Sequence, residues 1–480
     1  MLLLRHYSRT IILLVLPICV LTMGIIVLGI VGVCGGAGAS VVNKFLDHKV
    51  DTRDADFRIV RGCARGFRGE KMVEILVSER TYIVLLQNNM ELRPSGGFMG
   101  SYARIGTDAR GMREVFVQDI YEPDGQIPGH VEPPAPIQEA FGQGWWKLRD
   151  ANWDVDYKNA ADDVKWFLEQ GGEKQIDGLM AINLSSVKRV IGVVGEIKLV
   201  TYDETVTENN FYALAQSEAE MEFKPGSTQK RDFLGAVGTT LLELTKGMGV
   251  RDLVRLAGVV VGELRRGEMM MWSGDGDIQH GIEKIGWAGR LEEGWDGKSD
   301  YLYMVESNLG ANKANCCIDR SVRQEIQAGL SRLTLGWTNN NPGAKPNPPE
   351  TWGGDYIDYV RVVIPKELAI RSINVTGEEL KKKETSGTVE PNSLLVGRNE
   401  REYETHERGK LQIVGFWAVV PAGQELVAKI ELSNRRMRDQ EYKVLVKKQP
   451  GMENISYELM VDEKIEKRSL VDRARVFVIK

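Results

Sequence analysis

The sequence predicts a mixed-sheet α/β domain, with α+β as the alternative, followed by a C-terminal β-sandwich and preceded by one transmembrane helix. Three observations predict this. Thr10 to Asn43 carries no charged side chain, strand and helix signals alternate from Thr81 to about residue 300, and helical periodicity nearly disappears after Tyr301.

The 480 residues suit two or three domains at ~100–200 residues each. With 42% hydrophobic and 27% charged residues, the composition is that of a globular protein rather than a disordered chain or a many-helix membrane protein. Lys+Arg 62 against Asp+Glu 67 leaves a formal charge of −5, which offers no global footprint for nucleic acid. Cys19, Cys34, Cys63, Cys316 and Cys317 form no disulfide framework, because adjacent cysteines rarely bridge. Without a C-x-x-C pair, a structural zinc site is not expected.

Ile11 to Val33 is almost continuously apolar, long enough for the ~20 residues that a helix needs to cross hydrocarbon. Arg5 and Arg9 precede it, so the positive-inside bias makes residues 1–10 a cytoplasmic tail, 11–33 the anchor, and the remainder extracytoplasmic. Two alternatives stay open: Ala37-Gly38-Ala39 resembles a signal-peptidase site, and Val31-Gly32-Val33-Cys34 a lipoprotein box. Residues 34–80 then read as a stalk, partly helical, whose basic side chains either touch lipid headgroups or are simply solvated.

Residues 81–300 form the α/β domain. Thr81 to Leu86, Gly97 to Ile105, Glu114 to Ile120 and Ile176 to Leu184 read as strands, and Ala160 to Gln170 and Ser185 to Val194 as helices. Thr207 and Ser227 are candidate N-caps, the second for a helix bearing Phe233, Leu234, Val237, Leu241 and Leu244 on one face. In Arg251 to Leu264 the expected buried stripe is Val254, Leu256, Ala257, Val260, Val261 and Leu264. Residues 301–480 form the sandwich, with strands at Tyr301 to Glu306, Tyr356 to Ile364, Leu411 to Val420, Gln424 to Leu432, Glu441 to Lys447 and Ala474 to Ile479. Asn339 to Glu350 and Glu378 to Glu384 read as loops.

Three arginine clusters stand at predicted element boundaries: Arg93 before Gly96 and Gly97, Arg149 beside Asp150, and Lys230-Arg231 beside Asp232. A guanidinium presents a planar fork to phosphate, and glycines let backbone N–H groups approach an anion. Lys230 and Arg231 would lie in the first turn of a helix, where the backbone dipole also favours anions. The plainer reading is a local ion pair and a turn. Asp119, Asp124, Asp150, Asp154 and Asp156 are candidate carboxylates for Mg²⁺, with Asp119 and Asp150 preferred. Trp145, Trp146, Trp153 and Trp166 either line a lipid or sugar groove or pack under a loop. No G-x-S-x-G elbow, H-E-x-x-H or P-loop is present.

The blocks QNNMELRPSGGFMGSY, LRDANWDVDY, IDGLMAINLSSVKRVIGVVGEI and STQKRDFLGA, in this order, resemble domain-of-unknown-function family 4012, a bacterial family of membrane-anchored proteins. The resemblance spans Thr81 to Leu291, with a C-terminal echo in GFWAVVPAGQ and KKQPG. More remotely, the chain is similar to the LytR-CpsA-Psr transferases, which move phosphorylated glycans from polyprenyl pyrophosphate carriers to the cell wall. Lys230 to Phe233 occupies a place similar to that family's Asp/Arg motif, which makes Asp232 a candidate catalytic carboxylate; Asp119, among the carboxylates above, is the other candidate. The Arg and paired Gln that should follow the aspartate are absent, and Arg93 has no acidic residue beside it.

Two readings follow. In the first, the chain is an envelope phosphotransferase acting on a polyprenyl-pyrophosphate-linked glycan, with Mg²⁺ as cofactor. In the second, it is a non-catalytic surface module that binds such a glycan or a cell-wall polymer. The bilayer is a partner in both.

Overall fold

A computed structural model describes residues 36–66, 77–142, 144–220, 229–383, 398–434 and 441–479. The predicted span Ile11–Val33 and the candidate cap Ser227 lie outside the described residues. Among the described residues, no helix is long and apolar enough to cross a membrane. The chain is mixed α/β, and its described residues divide into two compact units: those within 36–87, 99–127 and 161–288 form one, and those within 88–98, 128–160 and 289–479 form the other. Where the sequence drew one boundary near Tyr301, the chain instead passes between the units several times, because two short segments of its first half pack with the C-terminal sheets.

The first unit is built on a five-stranded mixed sheet. In chain order its strands are β1 (Arg80–Asn88), β2 (Phe98–Asp108), β3 (Gly111–Asp119), β4 (Gly178–Asn183) and, after a small hairpin of β5 (Ile197–Leu199) with β6 (Glu204–Val206), β7 (Met269–Ser273). Their order is β3-β2-β1-β4-β7. β1 and β4 run parallel, Gln87 opposite Asn183, while β7 is antiparallel to β4. The described part of the expected stalk before the sheet, residues 36–66, is packed rather than extended. The helices Gly36–Leu46 and Ala55–Gly66 bury Val41, Val42, Phe45, Phe57 and Val60 in the same core as the sheet.

Helix Val250–Arg266 departs from its predicted stripe: Val254 is exposed, Leu253 takes its place in the core, and Glu263 is fully buried. Glu263 is tolerated there because Ser186 Oγ, Arg189 Nη1 and Arg266 Nη1 all donate to it, at 2.8, 2.7 and 2.9 Å. A buried carboxylate without such donors would be strongly destabilising. Periodicity reads hydropathy alone and could not anticipate a charge satisfied from the helix Leu184–Val194.

The second unit is two seven-stranded sheets around one apolar core. One sheet contains β8 (Asp300–Val305), β11 (Tyr356–Pro365), β14 (Lys381–Lys382), β15 (Glu402–Arg408), β16 (Leu411–Val420), β18 (Tyr442–Lys447) and β21 (Arg475–Ile479). The other contains β9 (Ile318–Gln327), β10 (Leu330–Asn339), β12 (Ala369–Val375), β13 (Glu378–Glu379), β17 (Glu425–Ser433), β19 (Ile455–Val461) and β20 (Lys464–Val471). Alternation assigns the faces. Val360, Val362 and Ile364 of β11 and Val414, Phe416 and Ala418 of β16 point into the shared core, leaving Tyr359, Arg361, Ile413, Gly415 and Trp417 on the opposite face. A carboxylate sits in this core as well: Glu306 accepts from Arg320 Nε, Trp337 Nε1 and Tyr356 Oη. The expectation for the cysteines is also corrected, since Cys316 and Cys317 are bonded to each other and Cys63 is disulfide-bonded too.

Candidate functional site

The predicted phosphate cradle is a packed loop in the second unit. Arg93 is 1% exposed, and all of its five N–H donors meet protein acceptors. Nε and Nη2 donate to Asp150 Oδ1 at 3.4 and 3.2 Å, and Nη2 also donates to Glu91 Oε1 at 3.1 Å. Nη1 donates to the carbonyls of Leu92 and Asn308 at 3.2 and 2.5 Å. Lys313 Nζ donates to the other oxygen of Glu91 at 2.7 Å. Burial would push the Glu91 carboxyl up, but the charges of Lys313 and Arg93 outweigh it and hold it below the ordinary value.

The glycines serve the same packing. The Gly96 N–H bonds to the Arg93 carbonyl at 2.8 Å, and a Cβ on Gly97 would lie 2.3 Å from the Asn88 carbonyl carbon. Gly97 is therefore required by a close backbone approach. Arg149 stands 3.7 Å from Asp150 Oδ2, so the carboxylate brings Arg93 and Arg149 together as an ion-pair cluster. The acidic partner missing beside Arg93 in sequence is thus supplied from Glu91 and Asp150.

Lys230, Arg231 and Asp232 fall in the first turn of the helix Gln229–Lys246 of the first unit, but their side chains lie outside the described residues. Asp119 ends β3 and accepts from the Tyr121 N–H at 2.9 Å, a local turn contact. Asp156 accepts from the Leu291 N–H, and Asp154 binds Arg408 through both oxygens at 2.6 Å. Among the described residues, no three His, Cys, Asp or Glu side chains converge to hold a metal ion. Of the predicted Mg²⁺ ligands, Asp150 is engaged by arginines, and Asp119 accepts a backbone N–H through one oxygen.

A different constellation forms on the outer face of the sheet carrying β11, β15 and β16. Register explains it. Tyr359 pairs with Trp417 and Arg361 with Gly415 across β11 and β16, while Glu404 pairs with Gly415 and His406 with Ile413 across β15 and β16. The two-residue period puts all of these on one face. A Cβ on Gly415 would lie 2.2 Å from the Tyr359 hydroxyl, so the glycine lets that ring cross β16 and donate to Glu404.

Pro134 to Pro136 and Trp153 to Val155 cover this face and leave a cleft of about 430 Å³. A smaller pocket shares Pro136, Tyr359 and Glu404 with it and continues past Glu139, Lys383 and Trp417. The Trp153 and Tyr359 rings stack at 6.0 Å, and Tyr359 meets Trp417 edge-on at 5.2 Å. Trp417 Nε1 and Lys383 Nζ both donate to Glu139, at 2.9 and 3.1 Å. His406 stands 3.5 Å from Glu404, which raises the imidazole above its ordinary pKa.

Arg361 is the unusual member. It is 8% exposed, and burial lowers its pKa, nearby negative groups offsetting this only in part. Its guanidinium lies 4.3 Å from the Trp153 ring centroid, Nη1 donates to the Trp153 carbonyl, Nη2 reaches Ser307 Oγ at 3.4 Å, and Nε has no acceptor.

Of the four tryptophans singled out in the sequence, Trp153 lines the cleft. Trp145 packs edge-on against His130, Trp146 donates to the Asp150 carbonyl, and Trp166, in the first unit, packs edge-on against Phe167. Arg361, Glu404, His406 and Trp417 were not singled out. One signal was available: an arginine in the otherwise apolar run YVRVVIP.

Residues 78–219 match the family model described as Protein of unknown function (DUF4012), the family that the sequence blocks resemble. No curated protein matches the chain.

Proposed function

We propose that this chain, with its DUF4012 stretch, is an extracytoplasmic cell-envelope protein held to the bilayer by Ile11–Val33, and that its two-sheet unit binds an envelope glycan in the Trp153 cleft. The observation that carries this reading is the cleft itself, where aromatic rings alternate with donors and acceptors. Sugars offer apolar C–H faces and dense hydroxyls, so a site for them combines ring surfaces with carboxylates and cationic donors. Glu404, Asp154 and Glu139 supply acceptors, and Arg361, Arg408 and Lys383 supply donors.

Binding is favoured over transfer by one comparison. The arginine best placed by sequence to hold a carrier pyrophosphate, Arg93, has every donor engaged inside the protein. Polyprenyl-pyrophosphate-linked glycans remain ligands of this reading through their sugar portion.

The test is retention of the purified full chain on immobilised envelope polysaccharide. The wild type is expected to be retained, and Trp153→Ala to elute early while keeping its melting temperature within a few degrees. Failure of the wild type to bind any envelope polysaccharide would reject the glycan reading. The anchor is tested separately, by protease treatment of cells with the outer envelope opened. Protection of the C-terminus there would overturn the proposed topology.

A further inference from the structure

The charges around the cleft are not evenly matched. Asp154 is clamped by both nitrogens of Arg408 and also accepts from the Asp156 N–H. Glu404 accepts from Tyr359 Oη and stands against His406, and Glu407 lies 3.9 Å from Lys366. Every carboxylate lining the cleft therefore has a polar or cationic partner already. Arg361 has no anionic hydrogen-bond partner: its hydrogen bonds run to a carbonyl and, at 3.4 Å, to a hydroxyl, both uncharged, and Asp154 and Glu404 act on it only through space. A guanidinium removed from water without a carboxylate partner is costly to keep, and a bound anion removes that cost. The Trp153 ring 4.3 Å away and the hydrogen bond to that residue's carbonyl hold the guanidinium in place, so little rotamer entropy is lost when a ligand arrives.

We infer that the cleft takes an acidic glycan, a sugar chain bearing carboxylate or phosphate groups, and that Arg361 is the cation that receives the acidic group. This rests on the glycan reading above and narrows it to a ligand class. Trp153, whose backbone carbonyl and ring both hold Arg361, couples the sugar surface to the anion subsite. The guanidinium fork suits carboxylate and phosphate oxygens alike, so the shared chemistry is a pair of anionic oxygens carried on a sugar.

The experiment is calorimetric titration of the full chain with three probes: a uronate-containing hexasaccharide, the same hexasaccharide with its carboxyl groups reduced to alcohols, and an oligomer of sugar phosphates. The wild type is expected to bind at least one acidic probe about tenfold or more tightly than the neutral one, the size of one charge-assisted contact. The better of the two acidic probes identifies the source of the anion. Arg361→Met is expected to abolish the preference, leaving the probes equal, while Arg332→Met, at an exposed arginine paired with Glu431, leaves it intact. Equal binding of acidic and neutral probes by the wild type would overturn the anion subsite and leave the glycan reading standing. A preference retained in Arg361→Met would assign it to another cation, which also overturns the proposal. Binding of none of the probes would reject both readings.

Discussion

The Arg361 guanidinium lies 4.3 Å from the ring centroid of Trp153 and donates through Nη1 to the carbonyl of the same residue at 2.9 Å. One residue on a strand is thus fixed by both the backbone and the ring of another more than two hundred positions earlier. The contact ties Trp153 to the outer face of the sheet beside the cleft, and the Asp154–Arg408 pair holds the same segment independently.

Replacing Arg361 separates stability from binding. A buried cation without a carboxylate partner contributes little to folding, so Arg361→Met is expected to leave the melting temperature unchanged or to raise it. Differential scanning calorimetry checks this. A fall of many degrees would show that the carbonyl and ring contacts matter more than the desolvated charge.

Arg93 should behave in the opposite way. Arg93→Met leaves Glu91 and Asp150 buried with fewer donors, and breaking a buried pair from one side costs about 3–5 kcal/mol. Denaturant unfolding should show that loss, while glycan affinity per folded molecule stays at the wild-type value. A selective loss of phosphate-ligand binding without a loss of stability would restore Arg93 to a ligand site.

Asp358 sets a pH dependence in the two-sheet unit. Burial raises its carboxyl well above the ordinary value, the charge of Glu306 adds to this, and Arg320 opposes it. Ser307 N–H donates to one oxygen at 2.7 Å, and the other has no partner. Because the folded state holds this proton more tightly than the unfolded chain, the stabilisation is full below the ordinary carboxylate range. It drains away as pH rises through the folded value. Asp358→Asn should flatten that part of the stability–pH curve, and an unchanged slope would assign the dependence elsewhere.

His406 reports on the cleft directly. Hydrogen bonding to Glu404 raises the imidazole, so its proton should come off above the ordinary histidine range in an NMR titration. Its stabilisation is present below that range and is lost as pH rises through the folded value. Glu404→Gln should return the titration toward the ordinary value. No movement would show that the 3.5 Å contact does not persist in solution.

Much of the first unit was legible because its signals are local. The expected strands at Thr81, Gly97, Glu114 and Ile176 correspond to β1 to β4, and the helices at Ala160 and Ser185 to Tyr157–Gln170 and Leu184–Val194. Each depends on hydrophobic spacing and turn residues within about ten positions. β9, β10, β12, β19 and β20 were missed, since their outer positions are charged and their inner residues, such as Val322 and Leu335, become apolar stripes only when paired.

By itself the sequence determined the mixed α/β texture, the strand-rich second half and the stretch 78–219 that matches the DUF4012 family model. It also identified Trp153 and Arg93 as residues needing explanation. Only the tertiary structure decided what each does, because that depends on which partners the sheets deliver. Arg93 meets Asp150 and the Asn308 carbonyl, far along the chain, and is neutralised. Arg361 meets a carbonyl, a hydroxyl and a ring, and is not. The cost or use of a buried charge is set by the few ångströms around it, and strand register brings residues to that distance without regard to their separation in sequence.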